Sequence, residues 1–173
     1  MWSAIVAALL FAFYNAYEAR VTKTTIQQTR AALEKQIQLQ QESARELAIA
    51  RREALILTDP KSVKIAMCAD NRDLSVLQAT WNLELGLVVS GQKLAVPVAK
   101  RTLQLWLIPK KAGAKPVPSL ILRPDAEGKF DLLVANPPGL PSETKALTIT
   151  EEPEGGSPQP TTTPIWVGAV AGK

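Results

Sequence analysis

The stretch Leu103-Gln-Leu-Trp-Leu-Ile-Pro109 is a short, almost wholly apolar run that ends at a proline. Leucine occupies every second position, and Trp106 lies between Leu105 and Leu107. Alternation with a period of two over a run of this length is typical of a β-strand inside a sheet. Burial of the Trp106 side chain would contribute on the order of 2–3 kcal/mol. We therefore expect residues 102–108 to be the central strand of a small β domain whose interior is built around Trp106.

The segment 60–171 consists of short apolar or alternating runs about ten residues apart, with Pro- and Gly-rich turns between them. The runs predict strands at 62–68, 74–85 (two short strands or one bent strand), 87–90, 102–108, 119–122, 129–134, 146–150 and 165–170. This pattern is typical of a mainly β domain, an antiparallel β-sandwich of the immunoglobulin-like type. The turn at 124–128 predicts a hairpin between its two flanking strands. Gly155 and Gly156 supply the positive φ that a reversal after Glu151-Glu152 requires.

Residues 1–17 form an uncharged, mostly apolar segment. As a helix it would reach only about 24 Å, against roughly 30 Å of hydrocarbon in a bilayer, and Trp2, Tyr14 and Tyr17 suit its interfaces. We predict a transmembrane helix that begins upstream of Met1. A secretory signal is the alternative, but no Lys or Arg precedes the apolar core. A buried soluble helix would need a polar face, which the segment lacks.

The membrane orientation stays open at this point. Arg20, Lys23 and Arg30 follow the span, and by the positive-inside rule they would place the remainder in the cytoplasm. The rule cannot be applied if further residues precede the span.

Residues 18–58 contain no proline or glycine and are rich in Gln, Glu, Ala, Arg and Leu, which predicts a long helical stalk. A partial heptad of apolar residues runs along it: Ile26, Leu33, Ile37, Ala44 and Leu47. The same seam also takes Arg30 and Gln40, so the pattern suits a weak coiled coil, and hence a weak homodimer, as well as a solvent-exposed stalk. Pro60 predicts the end of the helix, because a residue before proline is disfavoured in the α region.

The composition excludes several kinds of site. The chain has no histidine and one cysteine, Cys68, so it cannot supply the ligands of a zinc site or a Ser-His-Asp arrangement. The net charge of +4 is spread without a basic cluster, which argues against nucleic-acid binding. The acids Asp125, Glu127 and Asp131 fit turn solvation more simply than hydrolase chemistry. We predict no enzyme, no cofactor and no metal, and a buried Cys68 on a strand.

Two motifs resemble a known family. They are Leu105-Trp-Leu-Ile108 and the segment Glu152-Pro-Glu-Gly-Gly-Ser-Pro158, which Pro164-Ile-Trp-Val-Gly168 follows. Their order and spacing resemble the extracytoplasmic C-terminal domain of the anti-sigma-K factor family. Departures are Leu103, where tyrosine is common, Glu154, where a small residue is common, and the absence of glycine just before Pro164. The residues that carry the resemblance are Leu105, Trp106, Leu107, Glu152, Pro153, Gly155, Gly156, Pro164 and Trp166, and their expected roles are structural.

The resemblance implies a single-pass protein of the cell (inner) membrane whose β domain is an extracytoplasmic sensor. In that role the domain controls sigma-factor-dependent transcription through regulated proteolysis, with the lipid bilayer and a membrane protease as partners. Members of the family bind their sigma factor through a cytoplasmic helical domain, which often contains a zinc motif. This chain carries no such motif. We therefore expect the sequence to begin inside the membrane helix or to be split from a sigma-binding half. A membrane-tethered sandwich for binding or adhesion at the cell envelope is the alternative, since a fold does not choose a function.

Overall fold

The computed structural model describes residues 2–69, 71, 74–94, 97 and 100–171, with side chains from residue 27 onward. These residues form one long helix, a 3-10 turn (Pro141–Glu143) and strands that are all antiparallel to their neighbours. The elements are α1 (Trp2–Thr58), β1 (Val63–Ala69), β2 (Leu77–Asn82), β3 (Gly86–Gly91), β4 (Arg101–Pro109), β5 (Val117–Leu122), β6 (Phe130–Val134), β7 (Thr144–Pro153) and β8 (Trp166–Ala169). The chain divides into two compact units, Met1–Ala48 and Ile49–Lys173.

Helix α1 ends at Thr58, where the sequence predicts its end. The Thr58 hydroxyl donates to the carbonyl of Ala54 (2.7 Å), and the backbone N–H of Asp59 donates to that of Leu55 (2.9 Å). Pro60 then prevents a further helical turn.

The predicted membrane span, 1–17, falls on residues whose side chains lie outside the described ones. Within the described part of the chain, no helix is both long and apolar enough to cross a bilayer. The heptad residues Leu33, Ile37 and Leu47 are exposed, and the predicted coiled-coil pairing stays a prediction.

The strands of the second unit form one eight-stranded sheet in the order β5-β4-β7-β8-β1-β2-β3-β6. Strand β1 joins its two halves, because Val63–Met67 pair with β2 whereas Cys68 and Ala69 pair with β8. The sheet curls until it is nearly closed into a barrel, with β5 and β6 as its two edges. The prediction of a mainly antiparallel β domain is confirmed. The finer prediction, a two-sheet immunoglobulin-like sandwich, is corrected to one curled sheet, because β1 pairs with β2 over Val63–Met67 and with β8 at Cys68 and Ala69.

A single apolar core fills the inside of this sheet. Leu105 and Leu107 of β4 pack there with Leu147 and Ile149 of β7 and with residues of β1, β2, β3 and β8. Inward-facing residues alternate with outward-facing ones along each strand, as the pleat requires.

The last turns of α1 are bound to the sheet within the second unit. The Arg52 guanidinium donates to the carbonyls of Leu85 (2.7 Å) and Ala135 (3.0 Å). Leu85 directly precedes β3, and Ala135 directly follows β6. Ile56, one turn later, is fully buried. The helix end is therefore part of the β domain's packing.

Several local predictions are corrected. The turn after β5 forms as predicted, with Gly128 N–H donating to Asp125 (3.0 Å), but β5 and β6 do not pair as a hairpin. Strand β6 pairs instead with β3. Cys68 lies on β1 as predicted but is exposed rather than buried, because the strand's alternation turns it outward. The predicted turn at 70–73 falls mostly outside the described residues.

Candidate functional site beneath a proline-rich strap

The two faces of β4 have different environments. Leu103, Leu105 and Leu107 enter the core, whereas Gln104 and Trp106 point to the opposite face of the sheet. Trp106 is fully buried there, with none of its surface exposed. The expectation that Trp106 is buried on a strand is confirmed. Strand β4 is second from one edge of the sheet and not central, and Trp106 does not lie in the barrel interior, because the alternation gives that side to the leucines.

Strand β7 continues this outer face. Its register places Thr148 beside Trp106, Thr150 beside Gln104 and Glu152 beside Thr102. All six side chains are buried although five of them are polar: Thr102, Gln104, Trp106, Thr148, Thr150 and Glu152. Buried polar groups cost free energy unless they are hydrogen-bonded, so this face needs a polar cover.

The cover is a segment that we call the strap, residues 154–164. The backbone N–H of Glu154 donates to the carbonyl of Lys100, just before β4 (2.9 Å), and the side-chain amide of Gln159 donates to the carbonyl of Pro116, just before β5 (3.3 Å). Gln104 bonds to the strap twice: its amide nitrogen donates to the Ser157 carbonyl (3.0 Å), and its amide oxygen accepts from the Ser157 N–H (2.8 Å).

A buried carboxylate holds the strap to the sheet. Glu152 Oε1 accepts from the Thr150 hydroxyl (2.6 Å) and the Thr161 N–H (3.0 Å), and Oε2 accepts from the Thr161 hydroxyl (2.5 Å). Thr150 in turn accepts from the indole N–H of Trp106 (2.8 Å). One continuous hydrogen-bonded path therefore runs from the strand residue Trp106 through Thr150 and Glu152 to the strap residue Thr161.

The electrostatics of Glu152 favour its ionised form. Burial alone raises the pKa of this carboxyl, but the hydrogen bonds from Thr150 and Thr161 together outweigh it and hold the pKa below the usual value. Hydrogen bonds to an ionised acceptor are roughly twice as strong as neutral ones. Glu152 thus acts as a charged anchor for the strap.

The two glycines of the motif let the chain turn into the strap. Gly155 and Gly156 have φ of +93° and +82°, so the predicted positive φ is confirmed. A Cβ at Gly156 would lie 2.7 Å from Oε1 of Gln104, whereas one at Gly155 would meet open space. Gly156 therefore serves both the turn and the close approach to Gln104.

The remaining motif residues are placed separately. Leu105, Leu107 and Trp166 belong to the core, and the Trp166 indole N–H donates to the Ser75 carbonyl (2.9 Å). Pro153 ends β7 opposite Arg101, and Pro164 lies exposed in the strap. The motif thus contains residues of the core, residues that bind the strap and residues of the strap itself.

The sequence interpretation missed Gln104, Thr150 and Thr161 as strap ligands. A signal for this polar face was present in the sequence. Polar residues occupy alternate positions, as on one face of a strand: Thr148, Thr150 and Glu152. From the sequence alone, the segment predicts a strand that ends at Thr150 and an acidic turn after it, because an acidic residue is seldom buried unless it is paired.

Outside the strap, an open cleft of about 580 Å³ lies at the start of β6. Its lining includes Gln78, Ser90 and Asp131, which form one row across β2, β3 and β6, together with Lys93 and Lys129. The described residues contain no group of three or more His, Cys, Asp or Glu that could hold a metal ion. Asp125 accepts the backbone N–H groups of Glu127 (3.1 Å) and Lys129 (2.7 Å), so its carboxylate serves the turn.

Comparison with known proteins gives one match. The family model described as "Anti-sigma-K factor rskA, C-terminal" matches residues 1–165, nearly the whole chain. No curated protein and no solved structure matches the chain.

Proposed function

The chain belongs to the anti-sigma-K factor C-terminal family, and from this premise we propose that it is the regulatory part of a membrane-anchored anti-sigma factor. An anti-sigma factor binds a sigma factor and withholds it from transcription, so a sigma factor is the partner that the family implies. The single observation that carries the proposal is the family match over residues 1–165. Trp106 and Glu152, two of the residues that carry the resemblance, lie on the buried hydrogen-bonded path and so have a structural role in the β domain.

The proposal places the β domain on the extracytoplasmic side of the cell membrane, with residues 1–17 in the bilayer. The uncharged composition of that segment supports an anchor. An epitope tag placed after Lys173 tests this location. Protease added to cells whose outer layers are permeable, but whose cytoplasmic membrane is closed, would then digest the tag. A tag that is digested only after cell lysis would contradict this location.

Regulation proceeds through proteolysis in this proposal. All side chains from Gln27 to Arg51 are exposed, so this part of α1 offers a protease an accessible chain once it opens locally. The β domain would control when that cleavage takes place. Loss of the folded β domain would then lead to cleavage and release of the sigma factor.

The test removes the codons for residues 60–171 from the natural gene and measures the whole transcriptome. We expect a rise in one set of transcripts whose promoters share a recognition element, because a single sigma factor is released. The same deletion in a strain that lacks that sigma factor should leave the set unchanged. An unaltered transcriptome, with the shortened protein present in the membrane, would refute the proposal.

A further inference from the structure

The open cleft of about 580 Å³ at the start of β6 has the size of a small-molecule site, for which volumes of roughly 300–1,000 Å³ are usual. Its floor is the row Gln78, Ser90 and Asp131, which lies across β2, β3 and β6. The turn after β3 and the residue before β6 complete the lining with Lys93 and Lys129. The cleft is therefore built from three paired strands and one turn.

The fold does not use the polar side chains of this cleft. Within the described part of the chain, six of them form neither a hydrogen bond nor an ion pair: Gln78, Ser90, Gln92, Lys93, Lys129 and Asp131. The acid of the neighbouring turn is different, because the Asp125 carboxylate accepts two backbone N–H groups. The hydrogen-bonding groups in the cleft are thus available to a ligand.

The charges of the cleft are separated along its length. Lys93 and Lys129 lie beyond the end of the β3–β6 ladder, whereas Asp131 lies within the ladder. On that side is helix α1, where burial and the Asp131 charge together raise the pKa of Glu53. The cleft therefore has a positive side at the turn and a negative side towards α1.

The backbone of Lys93 has a conformation that usually belongs to glycine. Its φ is +57°, in the left-handed region, which costs free energy for a residue that has a Cβ. Residues in such conformations are concentrated at ligand-binding and active sites. The turn after β3 thus places a lysine side chain, at a cost, in the lining of the cleft.

A ligand that matches these groups has an anionic end, a cationic end and hydrogen-bonding groups between them. A short peptide with free termini has all three. Its terminal carboxylate would bind Lys93 and Lys129, its terminal ammonium group would bind Asp131, and its amide groups would bind Gln78 and Ser90. A ligand with one charge would leave the opposite side of the cleft without a partner.

We propose that this cleft binds a short peptide whose amino and carboxyl termini are both free. The inference rests on the cleft and its charges, and it stands independently of the proposed function. Binding is a property of the purified chain and requires neither a sigma factor nor a protease.

The test adds alanyl-alanine to the ¹⁵N-labelled full-length chain in a neutral detergent and follows the amide chemical shifts. We expect shifts at Gln78, at Ser90 to Lys93 and at Lys129 to Asp131. Two matched probes each lack one charge: alanyl-alanine amide has no carboxylate, and acetyl-alanyl-alanine has no ammonium group. The amide should bind about tenfold more weakly, because two lysines lose their partner, and the acetylated probe about threefold more weakly, because one carboxylate does.

Variants at exposed positions assign each preference to its side chains and leave the fold intact, which the unchanged shifts of amides outside the cleft verify. The double variant K93Q/K129Q should bind alanyl-alanine and its amide equally. Asp131→Asn should bind alanyl-alanine and its acetylated form equally. Glu127→Gln removes a charge from the neighbouring turn and should keep both preferences.

The proposal is overturned if alanyl-alanine shifts no amide of the cleft, or if the probes that lack a charge bind as tightly as alanyl-alanine. It is also overturned if the variants in the cleft keep the same preferences as Glu127→Gln.

Discussion

At the scale of single residues, Glu152 decides how the outer face of the sheet is covered. A carboxylate with no exposed surface is costly unless donors surround it, and here the donors come from both the strand and the strap. The same side chain links Trp106 to Thr161 through Thr150. The stability of the strap should therefore depend on this one group.

Replacement of Glu152 by Ala removes the acceptor from two hydroxyls and one backbone N–H. Because hydrogen bonds to a charged group are worth about 1.5–3 kcal/mol each and are not additive, we expect a loss of roughly 3 kcal/mol in the free energy of unfolding. Urea unfolding measures it. Glu154→Gln, at an exposed carboxyl two residues on, is the control and should change stability by less than about 0.5 kcal/mol. Similar losses in both variants would contradict the role of Glu152.

The pKa of Glu152 gives a pH dependence with a defined sign. Its folded-state value lies below the ordinary 4.5, so the unfolded chain binds more protons, and its contribution to stability is complete above that pH. The contribution is lost as the pH falls from 4.5 through the folded-state pKa. The difference in unfolding free energy between the natural chain and Glu152→Gln should thus shrink on acidification. A difference that is constant or grows below pH 4.5 would show that the carboxylate is not stabilised.

At the scale of elements, the best sequence predictions came from local signals. Strand β4 was predicted within one residue at each end, because its alternation and its terminal proline are both local. The end of α1 followed from Pro60 in the same way. Strand β7 was predicted too short, because Glu151 to Pro153 are typical of a turn and part of the hydrogen bonding that offsets the burial of Glu152 comes from Thr161, nine residues further on.

The strap offers a matched pair of glycine substitutions. Gly155→Ala places a side chain in open space and should cost only the strain of a positive φ, about 1–2 kcal/mol. Gly156→Ala adds a close approach to Gln104, whose two bonds to Ser157 must break or stretch. We expect a total of about 2–4 kcal/mol there, by urea unfolding. Equal costs at the two positions would contradict the observed path of the strap.

The last turns of α1 can be tested with neighbouring arginines. Arg52→Ala leaves the carbonyls of Leu85 and Ala135 without their charged donor and should cost about 2–3 kcal/mol. Arg51→Ala, at an exposed position, should cost less than about 0.5 kcal/mol. Thermal unfolding of the full chain, followed by circular dichroism in the near-ultraviolet, compares the two. A neutral Arg52→Ala would show that the helix end does not stabilise the β domain.

At the scale of the whole molecule, the β class of the domain was predictable, whereas the order of the strands in the sheet was not. Apolar alternation fixes which residues are strands, but pairing of β6 with β3, or of β1 with both β2 and β8, depends on packing between distant segments. The turn at 124–128 forms as predicted even though its flanking strands do not pair. Turn chemistry thus identified a reversal without identifying its partners.

In the proposed function, the folded, strap-covered β domain keeps a sigma factor under control. The deletion of residues 60–171 first identifies the sigma-dependent transcripts. Their level is then measured in cells that carry Glu152→Ala or Glu154→Gln in the natural gene. We expect Glu152→Ala to raise those transcripts in the same direction as the deletion, while Glu154→Gln leaves them at the natural level. The proposed control of the sigma factor would be contradicted if the transcripts are unchanged in Glu152→Ala cells although the purified Glu152→Ala protein shows the expected loss of stability.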